Sequence, residues 1–474
     1  MSELVELGAL EQAALVRRGE VSPVELVEAA IERIERTDPL INSVVHRRYE
    51  QALAEARQVR RDLPFAGVPT LSKALNESVG DPANLGSAWV ARSGRTGVRD
   101  AGIIRRMREA GFIVLGQTST PEFGVLSVSE NRVHGVTRNP WSLELTSGGS
   151  SGGASAAVAA GLVPVAQGGD GGGSIRMPAA FCHLVGLKPT VGRISDGPGT
   201  PNRWGHSVPA VVSRTVRDTA AVLDAVSGPA PGDATHPRPY PEGGLLGVLD
   251  ATPPRLRIGV LDHAPAYAPQ VTDEVRAAVR DVAETLAELG HEVVDAYPEA
   301  LMDQGGTATF FDALSVTVVQ GVDALSQEIG PPGPGDLDPV TEHWLRRGRE
   351  ITGVELADAF GWQGRYRERM AQWWGGGFDL LLTPVIASRP KPVGWPWAEP
   401  DGIQRSVDIL SFTAPFNTTG QPAISVPATL TEDGVPLGAH LVADHGREDL
   451  LVAVAGQLES ARPWRDLRPP VFAA

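Results

Sequence analysis

Apolar residues recur at helical spacing through the first sixty residues. Gly8–Arg18 carries such a face and stops at Gly19, a residue suited to the left-handed turn that ends a helix. Ser22-Pro23-Val24-Glu25 has capping-box spacing with proline at the first helical position. Val24, Leu26, Val27, Ala30, Ile31 and Ile34 follow with the helical period. The charged stretch Glu50–Arg61 predicts a third, solvated helix. Together these form a helical arm over residues 1–62 that packs on the main body.

From Pro64 to Gly228 the pattern alternates short apolar runs with helical segments. Ala101–Ala110 reads as a helix and Gly111–Leu115 as a buried strand. Gly152–Ala160 is a helix of small residues, Leu162–Ala166 a strand and Val216–Val226 another helix. Pro229–Pro254 is a linker rich in proline and glycine, followed by a strand at Arg255–Leu261, a helix at Glu274–Leu289 and a strand at Glu292–Asp295. Residues 300–370 are mainly helical, with a break at Gly330–Pro334. Strands return at Phe378–Pro384, Pro422–Ala428 and Leu437–Val442, and Asp449–Leu458 is the last helix. This alternation predicts an α/β fold, a mixed sheet covered by helices on both faces. The expected organisation is a single domain over 1–474: arm (1–62), core (63–228), linker and helical insertion (229–370), and return to the core (371–474).

Composition narrows the classes. Apolar residues make up 42% of the 474 residues and charged residues 21%, which excludes wholesale disorder. A net charge of −15 disfavours nucleic-acid or anionic-membrane partners. No run of about 18 apolar residues predicts a membrane span. Cys182 is the single cysteine, so no internal disulfide and no cysteine-based zinc site can form. The N-terminus lacks a basic and then apolar leader, which makes cytoplasmic residence the expectation. A homodimer is left open, since nothing in the sequence sets the oligomeric state. Among 42 basic residues only Lys73, Lys188 and Lys391 are lysines. G+C-rich codon usage explains such scarcity; a retained lysine can also be one whose proton must come off, which arginine does not permit.

Two glycine runs carry serines: Gly148-Gly149-Ser150-Ser151-Gly152-Gly153 and Gly171-Gly172-Gly173-Ser174. Unencumbered glycine amides can converge into a nest for an oxyanion, the need of acyl transfer. Ser174 at the end of such a nest is a candidate nucleophile, but a hydroxyl needs a base. No histidine sits in an obvious catalytic motif; His183, the nearest, reads as packed or exposed. Lys73, in the apolar stretch Gly67–Leu75, is the better base, because burial lowers an amine's pKa. Bland readings stand beside these. Gly148–Gly153 alone would serve as a turn or phosphate cradle, Ser150 and Ser151 alone would cap the next helix, and Lys73 alone would sit on the surface. Asp170 and Arg176 read as braces of the glycine loop.

Taken together these segments resemble the amidase signature family. The resemblance rests on Gly67-Val68-Pro69…Lys73, Thr120-Pro121-Glu122-Phe123 and Arg138-Asn139-Pro140-Trp141. It continues through Gly148–Gly153, Gly172-Gly173-Ser174-Ile175-Arg176, Gly186-Leu187-Lys188-Pro189-Thr190, Pro415-Phe416-Asn417 and Gly420-Gln421-Pro422-Ala423. It implies a Ser–cisSer–Lys triad: Ser174 as nucleophile, Ser150 behind a cis peptide as proton relay, and Lys73 as base. It also implies an oxyanion hole from Gly171, Gly172 and Gly173 with Ser174, and no cofactor or metal. Val125, Ser127 and Ser151 are the candidate substrate contacts, and Lys188 reads as part of a structural turn. Lys391, in Arg389-Pro390-Lys391-Pro392, reads as exposed. Ala74 stands where many members have Asp, which predicts a looser surround for the lysine. Gly171 stands where Thr is more usual. Met177 replaces the Gln of glutamine-dependent tRNA amidotransferase A subunits, which counts against transamidation.

Within the family the chain resembles 6-aminohexanoate cyclic-dimer hydrolases, at His291–Leu301, Gly446–Leu451 and around Trp373-Trp374…Asp379. The expected activity is hydrolysis of a small non-peptide amide, linear or cyclic, of which a 6-aminohexanoate-type cyclic amide is one form. A biosynthetic acyl transfer to an amine uses the same acyl-enzyme and is the alternative. Phe310, Phe311 and Trp344 in the insertion serve either a compact apolar substrate or core packing.

Overall fold

The computed structural model describes residues 2–197, 205–251, 253–397 and 401–473. The helical arm forms as the pattern requires. Ala9–Arg18 ends at Gly19 in the left-handed region, and Pro23–Ile41 begins with Ser22 accepting from the Glu25 amide. The third helix is shorter than expected, Tyr49–Ala56, and the chain from 57 to 61 is not helical. The charged residues there have no apolar stripe to hold a helix against the body.

The central sheet has eight strands. In spatial order they are Glu292–Val294, Arg257–Val260, Leu380–Pro384, Pro436–Ala443, Ala423–Leu430, Val185–Lys188, Val208–Ser213 and Val165–Asp170. The first three pair in parallel and the rest antiparallel, so the sheet is mixed. Every residue of Leu380–Pro384, Val185–Lys188 and Val208–Ser213 is buried, which requires cover on both faces. The helices Asp273–Glu288, Glu448–Ala461, Val216–Val226 and Arg176–Phe181 supply it. Two motifs far apart in sequence meet here. The Thr190 amide donates to Glu448 Oε1 (2.8 Å), and Arg193 pairs with the same carboxylate (2.8 Å).

Three expectations are corrected. The strand expected at Leu162–Ala166 runs from Val165 to Asp170, because its glycines pair with Val208–Ser213 instead of looping out. Lys188 lies in no turn. It ends a fully buried strand opposite Ala423, with its Nζ on the Pro189 carbonyl (3.0 Å). The linker folds a short helix, Gly244–Leu249, whose amides are capped by Asp224.

A second, three-stranded sheet positions the chemistry. Pro69–Lys73 pairs in parallel with Ile113–Thr118, which pairs with Val44–Arg47 on its other side. Pro69–Lys73 also lies along the last strand of the large sheet. Thr70 Oγ1 donates to the Val165 carbonyl (2.9 Å) and the Lys73 amide donates to Gln167 Oε1 (2.9 Å). The two sheets thus carry Lys73 to the place where Val165–Asp170 delivers the glycine run.

The insertion forms three helices, Gly305–Ile329, Pro339–Glu350 and Gly353–Gly375. The first is long and apolar enough to cross a membrane by length and composition. Here it buries Phe310, Phe311, Val318, Val322 and Leu325 in protein, while its Asp312 and Asp323 pair with Arg347 and Arg349 of the next helix. These side chains build a second core with Trp89, Val128, Met177, Trp344, Ile409 and Leu410.

Candidate active site

Lys73 and Ser150 come together at the meeting of the two sheets. Lys73 Nζ is 2.7 Å from Ser150 Oγ and 3.0 Å from Ser151 Oγ. The Gly149–Ser150 peptide is cis, at the position the resemblance implied. Ser174 follows the Gly171–Gly173 run, and its carbonyl accepts from the Ser151 amide (3.2 Å). Lys73 is 2% exposed, Ser150 3% and Ser174 9%, so solvent reaches the site from the Ser174 side.

Electrostatics favour a neutral amine. Lys73 is fully enclosed, and burial lowers its pKa to about 7 against the opposing pull of the Asp170 carboxylate. Ala74 contributes no charge; its amide closes a backbone bond to Thr118 (3.1 Å). The lysine's side-chain partners are two hydroxyls and the Gly169 carbonyl (3.5 Å).

Ser151, a candidate substrate contact, has its hydroxyl engaged within the protein. Its Oγ accepts from Lys73 and from the Gly169 amide (3.2 Å) and donates to the Gly169 carbonyl (3.1 Å). It is buried and holds the amine toward Ser150. The amides expected to form an oxyanion hole differ in their partners. The Gly173 amide donates to Asp170 Oδ1 (2.7 Å) and is committed to the loop. Among the described residues no protein acceptor takes the amides of Gly171, Gly172 or Ser174, which leaves these three for a developing oxyanion.

Asp170 and Arg176 brace that loop as their spacing suggested. Arg176 Nε and Nη2 grip the two Asp170 oxygens (2.9 and 3.0 Å), both side chains fully buried. Burial alone would raise the Asp170 pKa, but the Arg176 charge and hydrogen bonds hold it well below the usual carboxylate range. The remaining guanidinium hydrogens go to Asn417 Oδ1 (2.6 Å), the Thr413 carbonyl (3.1 Å) and His440 Nε2 (3.1 Å). Burial and Arg176 keep His440 neutral, so Nε2 accepts and Nδ1 donates to Thr383 Oγ1 (3.1 Å). Removing one partner of such a pair strands a buried charge. Arg176→Met should therefore lose about 3–5 kcal/mol of stability, read by urea unfolding.

Sequence reasoning missed several residues around this loop. Thr413 Oγ1 donates to the Gly172 carbonyl (2.6 Å) and occupies the space a side chain at Gly173 (φ 133°) would need. Asn417 Nδ2 holds the Asp170 carbonyl (3.1 Å). A Cβ at Gly172 would meet Phe310 Cζ at 3.0 Å and Leu410 at 3.5 Å, so those two side chains wall the nest. Phe310 also packs at a tilt against His206 (5.5 Å between ring centres, 32° between planes). Only Asn417 lay in a recognisable motif; Thr413, Leu410 and His440 carry no local signal.

Val125 and Ser127 follow a turn placed against Ser150. Phe123 (φ 50°) and Gly124 (φ 72°) are both left-handed, and a Cβ at Gly124 would lie 3.3 Å from Ser150 Oγ. Val125 packs on the second core, and Ser127 is buried. His183 makes no hydrogen bond to Lys73, Ser150 or Ser174. It packs edge-on to Trp141 (5.2 Å), and burial lowers its pKa to about 4. Lys391 is half-buried rather than exposed, with its ammonium 5.6 Å from the Trp395 ring centre.

The fold, with a buried amine against paired serines beside open amides, is that of an amide-cleaving hydrolase. The Amidase family model matches residues 25–452, and the chain belongs to that family. It is 41% identical over 482 residues to the 6-aminohexanoate-cyclic-dimer hydrolase of Paenarthrobacter ureafaciens, covering 98% of this chain and 96% of that one. It is 34% identical to the acylamidase of Rhodococcus erythropolis, covering 98% and 97%. The solved structure of 6-aminohexanoate cyclic dimer hydrolase complexed with substrate superposes with a TM-score of 0.94 at 39% identity, covering 99% of each chain.

Proposed function

We propose that the chain hydrolyses a small non-peptide amide, a 6-aminohexanoate-type cyclic amide among them, through an acyl-enzyme on Ser174. The observation that carries this reading is the Lys73 Nζ–Ser150 Oγ contact of 2.7 Å in an enclosed site whose burial lowers the amine's pKa to about 7, so that a substantial neutral fraction exists near neutral pH. Neutral Lys73 takes the Ser150 proton, and Ser150 takes the Ser174 proton as Ser174 Oγ bonds to the amide carbon. Negative charge collects on the carbonyl oxygen, within reach of the Gly171, Gly172 and Ser174 amides. The C–N bond then breaks, and the proton returns through Ser150 to the leaving nitrogen. A cyclic substrate opens without losing a fragment, its amine still tethered to the ester. Water attacks the ester by the same relay, releasing the carboxylic acid and free Ser174.

The test is a panel of cyclic, linear and aryl amides, followed by product mass and by rapid quench of the intact protein. The expected result is an open-chain product one water heavier than a cyclic substrate, with a transient acyl adduct on the Ser174 peptide. Absence of cleavage across the panel, or cleavage without any adduct, overturns the reading.

The same pKa sets a pH profile. The deprotonated amine is the active form and its fraction grows as pH rises. kcat/KM should therefore climb about tenfold per unit below about pH 7 and level off above it. A profile flat from pH 5 to 9 would exclude Lys73 as the base.

A further inference from the structure

A cleft of about 360 Å3 opens on the outer side of the insertion, between the helices Gly305–Ile329 and Pro339–Glu350 and the segment 403–411. Its floor is the Phe311 ring stacked on Trp344 (4.9 Å between ring centres, 16° between planes). Its polar lining includes Gln304, Thr307, Gln404 and Ser411. Titratable side chains line it as well: Arg347, paired with Asp312, Asp408, which accepts from Gln404 Nε2 (2.6 Å), and His343, whose pKa burial lowers. A flat aromatic floor under amide and hydroxyl groups suits an uncharged chain that alternates methylenes with amides.

The cleft adjoins the reacting centre through two adjacent-residue steps. Phe310 walls Gly172 while Phe311, the next residue, floors the cleft, and the two ring centres are 5.2 Å apart. Leu410 likewise walls Gly172 while Ser411 lines the cleft. The same apolar cluster continues inward to Phe123 and Val125, beside the relay serine.

Resting on the amide-hydrolase reading above, we propose that this cleft is a remote subsite that holds a second, uncharged amide-bearing segment of the substrate. Phe310 and Leu410 form the partition between that segment and the scissile carbonyl. A substrate with a single amide does not reach the cleft; one with two amides along a flexible chain occupies both compartments, and its remote binding energy lowers KM.

The experiment fills the cleft from its rim and leaves the catalytic loop untouched. Ala308→Trp projects from an exposed helical position and Gln404→Trp from an exposed position on the opposite wall, so neither disturbs the core. Each is assayed with a short single-amide substrate and with a linear two-amide substrate built on the same acyl unit. For the two-amide substrate KM should rise about tenfold with kcat held, while kcat/KM for the single-amide substrate stays within about twofold. No change for either substrate in both variants overturns the subsite. An equal loss for both substrates also overturns it, since it marks a common route of access. If the unmodified enzyme cleaves neither substrate, the amide-hydrolase reading fails, and the subsite with it.

Discussion

Ser174→Ala should abolish covalent labelling by a fluorophosphonate probe and lower kcat by on the order of 10^4 or more. The hydroxyl proposed to form the bond is gone, and the amides of Gly171, Gly172 and Ser174 that have no protein acceptor among the described residues lie at this position. Ser150 is 3% exposed with its Oγ held by Lys73, so it is poorly placed to replace the proposed nucleophile. The substitution removes one oxygen at the most exposed of the three positions, and the Ser174 amide and carbonyl keep their backbone roles. Unfolding should therefore be unchanged, which separates lost chemistry from lost structure. Labelling that persists at full strength in the variant would refute Ser174 as the nucleophile.

Lys73→Met should lower kcat by about 10²–10⁴-fold with little change in KM. Methionine matches the length of the buried stem and carries no proton acceptor of comparable basicity. Lys73→Arg tests the same point from the other side. It keeps a cation but stays protonated, so it should be as inactive as the methionine variant. The signature beyond the rate is the pH profile: residual activity in either variant should lose the inflection near pH 7. Retention of that inflection would assign it to another group, and retention of full activity in the arginine variant would exclude a neutral amine as base.

The candidate groups that the structure brings together, Lys73 with Ser150 and Ser151, were legible because glycine, serine and lysine stood in unusual company over short spans. The helical arm and the strands of the C-terminal return were legible because their apolar periods are local. What escaped was long-range. The Asp170 loop is held by Thr413 and Asn417, more than 240 residues away, and those contacts leave no periodic trace. Lys188 was misread because a Pro-Thr pair after it suggests a turn, whereas the Ala423 strand alongside keeps it extended. The strand Val165–Asp170 was placed too early because its glycines read as a loop, yet cross-strand pairing with Val208–Ser213 holds them. Ser151 was a candidate substrate contact in the sequence, which shows none of its partners. Its hydroxyl makes two bonds to the Gly169 backbone and a third to the amine, which only the tertiary path of the strand could reveal.

The burial of Lys73 and Lys188 also matters for anyone attaching this protein to a surface or a dye. Acylating reagents need an accessible amine, and both of these side chains are shut inside the fold. Lys391, half-buried beside Trp395, is the remaining lysine. Among the lysines, conjugation should therefore fall on Lys391, leaving Lys73 and Lys188 unmodified and turnover intact.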